Sequence, residues 1–365
     1  MRQMVQHLTL QHCQIFILTR RWKKELPREN RVDGIPVKRV GLPGRSLLST
    51  ISYITQLFVV LFQKRREYDI IHTNGAAALG TLGSIFARLL RKKNVARISS
   101  AGRIPELKKK LFGSPALNFL RKSDVIISLS KAIDSELFSI QYPLEKTARI
   151  SNGVDASRFR PYSQEKRCEW RKKHNLPENA LLVIYASLFK PGKGHVTLLH
   201  AWSFIEKDFP KSWLILLGGG NYQLPGTTRE IMTVAESLKL SRVIFAGEAS
   251  DTAQFTGIAD ICAFPAEDDS EGCPNTLLEA MSAQLAPVAF NTNGVRDLIV
   301  DETSGLLVNE KTERAFAKAL NRVLRSEELR KRLSGAARQY IINNHDFNTI
   351  ASEYVLLYRQ LLQED

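Results

Sequence analysis

Short apolar runs that read as strands alternate with stretches of helical period along most of the chain, which predicts an α/β protein with mostly parallel sheets. The chain has 365 residues, enough for two domains of ordinary size, each with its own core. In the second half every strand-like run ends in a loop of small residues, as expected where ligands bind at the carboxyl ends of parallel strands.

Taken in order, Met1 to Gln11 is helix-compatible and Gln14 to Thr19 (QIFILT) has the branched, apolar character of a strand. Gly34 to Val40 gives a second strand, and residues 47–66 a helix. Within it, Leu47 to Phe62 is the best candidate for a membrane span. It is short of the ~20 apolar residues a span requires and is interrupted by Ser, Thr and Gln, so a helix packed on a sheet is expected. Asp69 to Thr73 reads as a buried strand, Ala76 to Leu90 as a helix and Val95 to Ser99 as a strand. Pro115 to Leu120 lies in a helix that leads to the strand Asp124 to Ser128. Arg149 to Pro161 (RISNGVDASRFRP) marks a junction, with Asn152-Gly153 as a turn pair and Pro161 closing it.

The second half repeats the pattern. Leu181 to Ala186 is a strand, Lys190 to Gly194 a tight basic loop and Val196 to Ile205 a helix. Strands follow at Trp213 to Leu217, Val243 to Ala246, Asp260 to Phe264 and Ala286 to Phe290, with helices at Arg314 to Leu324, Glu327 to Ile342 and Phe347 to Leu362. The expected domains are 1–160, 161–345 and a final helix over 346–365.

Composition narrows the class. Hydrophobic residues make up 44% and charged residues 24%, as in a globular protein and not a disordered one. Cys13, Cys168, Cys262 and Cys273 show no ligand-like or redox-like spacing, which suggests a reducing cytosol and no structural zinc. The first twenty residues lack the continuous apolar core of a secretory signal. The net charge of +15 is uneven: residues 1–150 hold 27 Lys and Arg against 10 Asp and Glu, and residues 151–365 hold 25 against 27. A basic first half predicts an anionic partner. With no nucleic-acid motif present, an acidic membrane surface or a phosphorylated acceptor is expected, and no nucleic acid.

The densest chemistry lies in Glu271-Gly-Cys-Pro-Asn-Thr-Leu-Leu-Glu-Ala-Met281. Pro274 suits the first turn of a helix, and Thr276 to Gln284 are acceptable helix formers up to Pro287. The unpaired amides of Asn275, Thr276 and Leu277 at the helix start suit a phosphate. Glu271 in the approach loop and Glu279 on the helix cannot favour phosphate by charge, but they can accept hydrogen bonds from sugar hydroxyls. The stretch therefore reads as a site for a sugar joined to a phosphate. Lys193, next to Gly194, adds an ammonium that can approach a diphosphate. Glu267-Asp268-Asp269 is an acidic run, but consecutive side chains point apart, so no metal site is expected. Gly218 to Asn221 is a weak Gly-rich signal, and no G-x-G-x-x-G follows a strand, which disfavours a dinucleotide site.

Glu-x7-Glu within EGCPNTLLEAM resembles the signature of the retaining, nucleotide-sugar-dependent glycosyltransferases of family 4, the group 1 transferases with a GT-B fold. RISNGVDASRFRP is similar to their inter-domain connection, with Phe159 as an apolar anchor. The resemblance implies two Rossmann-like domains facing a cleft, a C-terminal helix returning to the first domain, and metal-independent transfer of a sugar from a nucleoside-diphosphate donor. It implies that Glu271 lies beside the transferred sugar, Glu279 holds ribose hydroxyls, and Lys193 and Gly194 with Asn275, Thr276 and Leu277 bind the diphosphate. No cofactor beyond the donor is expected. The acceptor would be a glycan or lipid-linked molecule at the inner face of a membrane, in cell-surface polysaccharide or lipopolysaccharide synthesis.

Three features depart from that pattern. The resemblance implies that the family's opening strand and Gly-rich loop are missing before the first helix; Ser187 and Leu188 stand where an Arg is usual; and Ala101 replaces a His. They define the alternative expectations, a degenerate sugar-nucleotide binder or a membrane-surface adaptor. Arg103 reads as cleft-facing or as a surface residue, His72 as a satisfied strand-end residue, and His195 as a helix start or a site residue.

Overall fold

The computed structural model describes residues 2–75, 77–220, 226–267 and 271–363. Its contacts divide the chain into two compact units, one of Met1–Leu129, Ile133–Ile150 and Phe347–Asp365, the other of Ser130–Ala132 and Ser151–Asp346.

The first unit runs α1 (Arg2–Leu10), β1 (Ile17–Arg20), β2 (Glu29–Val32), β3 (Ile35–Val40), α2 (Leu47–Gln63), β4 (Ile70–Gly75), α3 (Ala77–Leu90), β5 (Lys93–Ile98), α4 (Arg103–Lys108), α5 (Gly113–Leu120), β6 (Val125–Ser128), α6 (Lys131–Ser139) and β7 (Thr147–Arg149). Strands β4-β5-β6-β7 form a parallel sheet, and β1-β3-β2 a mixed one in which β1 runs parallel to β3. Strand β2 was not predicted. It pairs antiparallel to β3 through a two-residue turn in which Asp33 and Gly34 both have positive φ, the hairpin geometry that an Asp-Gly pair favours. Among the described residues β1 and β4 are each an edge of their own sheet.

Strand alternation assigns the faces of the four-stranded sheet. Val95, Val125 and Ile127 point to one side, where Met4 and Leu8 of α1 meet Ile350 and Tyr354 of the last helix. Ala96 points to the other, where Gly80 of α3 lies against it and against Leu120 of α5.

The second unit continues with α7 (Gln164–Lys173), β8 (Leu181–Ala186), α8 (His195–Ile205), β9 (Ser212–Leu217), α9 (Thr227–Ser237), β10 (Val243–Gly247), α10 (Ala253–Thr256), β11 (Ile261–Phe264), α11 (Asn275–Ser282), β12 (Ala286–Phe290), β13 (Leu306–Val308), α12 (Glu313–Arg325) and α13 (Glu327–Asn344). The chain closes with α14 (Phe347–Gln363), which belongs to the first unit. The six strands are all parallel, in the order β10-β9-β8-β11-β12-β13. Helix α8 packs with α9 and α12, and α11 packs with α10 and α13. Consistent with helices covering both faces, β8 and β9 are buried almost without interruption. This is the strand order of a dinucleotide-binding sheet, although the Gly fingerprint of such sheets is absent.

Asp260, just ahead of β11, ties the sheet to α7. Its carboxylate accepts from the Leu182 amide at 2.8 Å and from Arg171 at 3.3 Å, and pairs with Arg167. Removing it leaves two guanidinium groups and a strand amide without their anion, in a place that is mostly buried. Breaking one partner of such a buried pair costs about 3 kcal/mol or more. Asp260→Ala is therefore expected to lower the unfolding free energy by that order, read as an earlier urea midpoint.

Candidate functional site

The strand order reverses at β8. From there the chain builds outward through β9 and β10, then returns to β8's other side with β11 and builds the opposite way through β12 and β13. The loops leaving β8 and β11 must diverge, and a crevice opens at their carboxyl ends. All the donor-site residues expected from the sequence lie on these two loops or on the helix that follows the second.

The loop after β8 is tied to its neighbours by backbone bonds, Ser187 N to Leu217 O at 2.9 Å and Phe189 N to Gly219 O at 2.8 Å. Leu188 is exposed. The loop after β11 is tied to it by Glu267 N donating to Gly192 O at 3.0 Å. Gly194 caps α8 with φ +72°, and a Cβ there would run into the Pro265 carbonyl. Only glycine satisfies both conditions, so Gly194 is required by the close approach of the two loops. His195 is the first residue of α8. It is buried between the rings of Tyr185 and Phe189, and burial pushes its imidazole down to about 4, so it is neutral at physiological pH.

Lys193 is 6% exposed, and its ammonium is paired with the Glu271 carboxylate. The structure thus brings together the expected cation and the expected sugar-side acid. A second backbone contact fixes Glu271: a Cβ on Gly294 would run into the Glu271 carbonyl. Its signal in the sequence is the Asn293-Gly294 pair that follows a strand.

Helix α11 begins at Asn275, with Pro274 as an extended N-cap and not a first-turn residue as predicted. Its first internal bond runs from Leu278 N to Pro274 O at 3.2 Å, so the amides of Asn275, Thr276 and Leu277 are the ones left ahead of the helix. The Leu277 side chain is fully buried and only its amide is available. Thr276 lines a small cavity with Ile184, Tyr185, Ala186 and Ala280. The helix ends two residues earlier than predicted, at Ser282, where Gln284 adopts a left-handed φ of +65°.

Sequence reasoning treated Asn152 as a junction residue only. Its side-chain amide donates to Cys273 O at 2.8 Å and to Asn275 Oδ1 at 2.9 Å, which clamps the entry of α11. Buried Phe159 anchors the other end, its carbonyl accepting from Ser282 Oγ at 2.7 Å.

Glu279 faces a different neighbourhood from Glu271. It accepts from Thr252 Oγ1 at 3.2 Å, close to the Arg158–Asp251 ion pair of 2.8 Å. Burial pushes its carboxyl up to about 7. Thr252 lies in no motif, and Arg158, although it stands in the junction segment 149–161, carries no local sign of a partner so distant in sequence.

The other sequence candidates are placed as follows. Arg103 is ion-paired on the surface with Glu106 at 2.8 Å. His72 is bonded to Tyr358 of α14 at 2.6 Å and pushed down to about 3 by burial, a core residue of the first unit. Ala101 lies in the turn before α4, where Glu136 takes the Gly102 and Ile104 amides. Glu267 accepts from Thr197 at 2.9 Å; Asp268, Asp269 and Asn221 lie outside the described residues. Among the described residues no three His, Cys, Asp or Glu side chains converge on a point that would hold a metal ion.

The raised carboxyl of Glu279 gives a stability signature. Between its ordinary 4.5 and about 7, the folded chain holds a proton that the unfolded chain has released. Its contribution is complete below 4.5 and is lost as pH rises through 7, a span of about 3 kcal/mol. Glu279→Gln is expected to be more stable than the parent above pH 7 and to lose that advantage near pH 4.5, read by urea unfolding across the range.

Known proteins share this architecture. Residues 1–158 match the model of glycosyltransferase family 4, and residues 166–340 match that of the glycosyl transferases group 1. EpsD of Bacillus subtilis (strain 168), which bears a glycosyltransferase name, is 25% identical over 338 residues, covering 89% of this chain and 84% of its own. Sucrose-phosphate synthase from Thermosynechococcus elongatus is similar in fold, with a TM-score of 0.80 at 21% identity over all of this chain and 93% of its own. HepE from Anabaena, solved in complex with UDP, gives 0.77 at 20% identity over 90% and 87%.

Proposed function

The chain belongs to the group 1, family 4 glycosyltransferases, GT-B enzymes that use nucleotide sugars, and from that premise we propose that it transfers a hexose with retention from a nucleoside-diphosphate sugar to a glycan or lipid-linked acceptor. The observation that carries this is the meeting of Lys193, Gly194 and Glu271 at the ends of β8 and β11, with the start of α11 directly downstream.

In the proposed reaction the acceptor hydroxyl attacks the anomeric carbon on the face from which the nucleoside diphosphate leaves. The new glycosidic C–O bond forms as the bond to the diphosphate oxygen breaks, and the hydroxyl proton passes to that oxygen. Lys193 exchanges the Glu271 carboxylate for diphosphate oxygens, and the amides of Asn275, Thr276 and Leu277 with the positive end of α11 meet the charge that develops there. Glu271, so released, orients the sugar, and Glu279 accepts from the ribose hydroxyls. No step is assigned to a metal ion. HepE, similar in fold, is solved with UDP and with UDP-glucose, which supports a nucleotide-sugar donor. The basic first half supports an acceptor held at an anionic, cytoplasmic membrane face, in polysaccharide or lipopolysaccharide synthesis.

The test is titration calorimetry and product analysis with a panel of UDP-, GDP- and other nucleotide sugars. At least one donor is expected to bind, with Lys193→Ala weakening it at least tenfold, and the product is expected to keep the donor's anomeric configuration by NMR coupling. Absence of binding across the panel would overturn the proposal. Binding without transfer or hydrolysis would favour a non-catalytic sugar-nucleotide binder, a reading that Ser187, Leu188 and Ala101 in the places of the family's Arg and His support.

A further inference from the structure

Helix α2 buries one apolar stripe and exposes another. Ile54, Leu57, Phe58 and Leu61 pack against Ile71 of β4 and Phe86 of α3. On the outer side Leu48 is 73% exposed, Ile51 53%, Val59 43% and Phe62 48%, at spacings of three, eight and three residues, which keep them on one face with Thr55 between the two pairs. The 17 residues of α2 carry no charged side chain and extend about 25 Å. Among the described residues no helix is long and apolar enough to cross a membrane.

The chain on either side of this helix is cationic in sequence. Residues 20–67 hold twelve Lys and Arg against four Asp and Glu. At the far end of α2 the Arg65 guanidinium lies 4.3 Å over the Phe62 ring. At its start Trp22 is 51% exposed, its carbonyl accepts from Gly44 N at 3.3 Å, and the Arg20 guanidinium lies 4.5 Å over its ring. An uncharged apolar stripe, an amphipathic Trp at one end and basic residues at both ends are the features of a helix that lies in the plane of a bilayer interface. A second copy of the chain would bring two strongly positive surfaces together, which disfavours self-association through this face.

We propose that the outer face of α2, with Trp22, docks on an anionic lipid surface, the apolar stripe entering the headgroup boundary while the flanking Lys and Arg meet lipid phosphates. The proposal deepens the membrane side of the proposed function and does not depend on the donor site, so vesicle binding and donor binding succeed or fail separately.

The full chain is to be sedimented with vesicles of phosphatidylcholine alone and of phosphatidylcholine with one quarter phosphatidylglycerol. The partition coefficient is expected to be at least tenfold higher on the anionic vesicles and to fall with added salt. Leu48→Asp with Ile51→Asp, both at exposed positions, is expected to lower it at least tenfold, with the thermal melt retained. In the unsubstituted chain, the emission component absent from Trp22→Phe is expected to shift to the blue on anionic vesicles. Equal partition of parent and variant, no blue shift of Trp22, or a concentration-dependent dimer dissociated by the same substitutions would overturn it, the last in favour of self-association.

Discussion

Everything in the second unit's site follows from the reversal of strand order at β8. Parallel strands joined by helical crossovers leave their loops at one edge, and only where the winding changes direction do two adjacent loops part. The gap is narrow, because Gly194 on one loop lies so close to Pro265 on the other that no Cβ fits. That closeness places the Lys193 ammonium within reach of the Glu271 carboxylate. The backbone thus fixes the spacing and the side chains supply the charge.

A buried ammonium needs an anion, since desolvation of an unpaired charge costs several kcal/mol. Glu271 provides it in the structure, and a diphosphate would provide it equally well by charge. The second acid is different in kind. Glu279 is desolvated, and its carboxyl is pushed up to about 7, so near neutral pH a substantial fraction of it carries no charge. Two acids near an anion site would oppose phosphate if both stood ionised and free. Protonation lowers the charge of Glu279, and the Lys193 ammonium that Glu271 holds in the structure is the cation a diphosphate would engage, which lessens the repulsion that the sequence alone raises against a phosphate site between them.

Much of this was legible in the sequence because the chemistry is local. Small residues at strand ends, Pro274 before a helix and two acids with seven residues between them are features of a single stretch, and the helices and strands near them were predicted to within a few residues. What was missed depends on partners distant in sequence. Asn152 holds Asn275 across more than a hundred residues, Gly294 meets the Glu271 carbonyl, and Thr252 reaches Glu279. Asn152 and Gly294 sit in turn-like pairs, Asn152-Gly153 and Asn293-Gly294, but neither these pairs nor Thr252 say which distant residue will be met. Strand β2 was missed for the opposite reason: its Glu-Asn-Arg-Val sequence has little strand propensity, and it forms because the Asp33-Gly34 turn returns the chain to β3.

Helix α2 shows where hydropathy stops being informative. A helix that is apolar on most sides can be buried all round, span a bilayer, or cover a sheet with one face and leave the other out. Composition does not separate these cases, because Leu57 and Leu61 contribute to the average as Leu47 and Leu48 do. The structure separates them by giving the inner stripe neighbours in β4 and α3 while Leu47 and Leu48 remain about three-quarters exposed. In the second unit the ligand site is encoded by backbone closeness and can be read from glycines and prolines. In the first unit the informative quantity is the surface that packing leaves over, and that is known only once the packing is known.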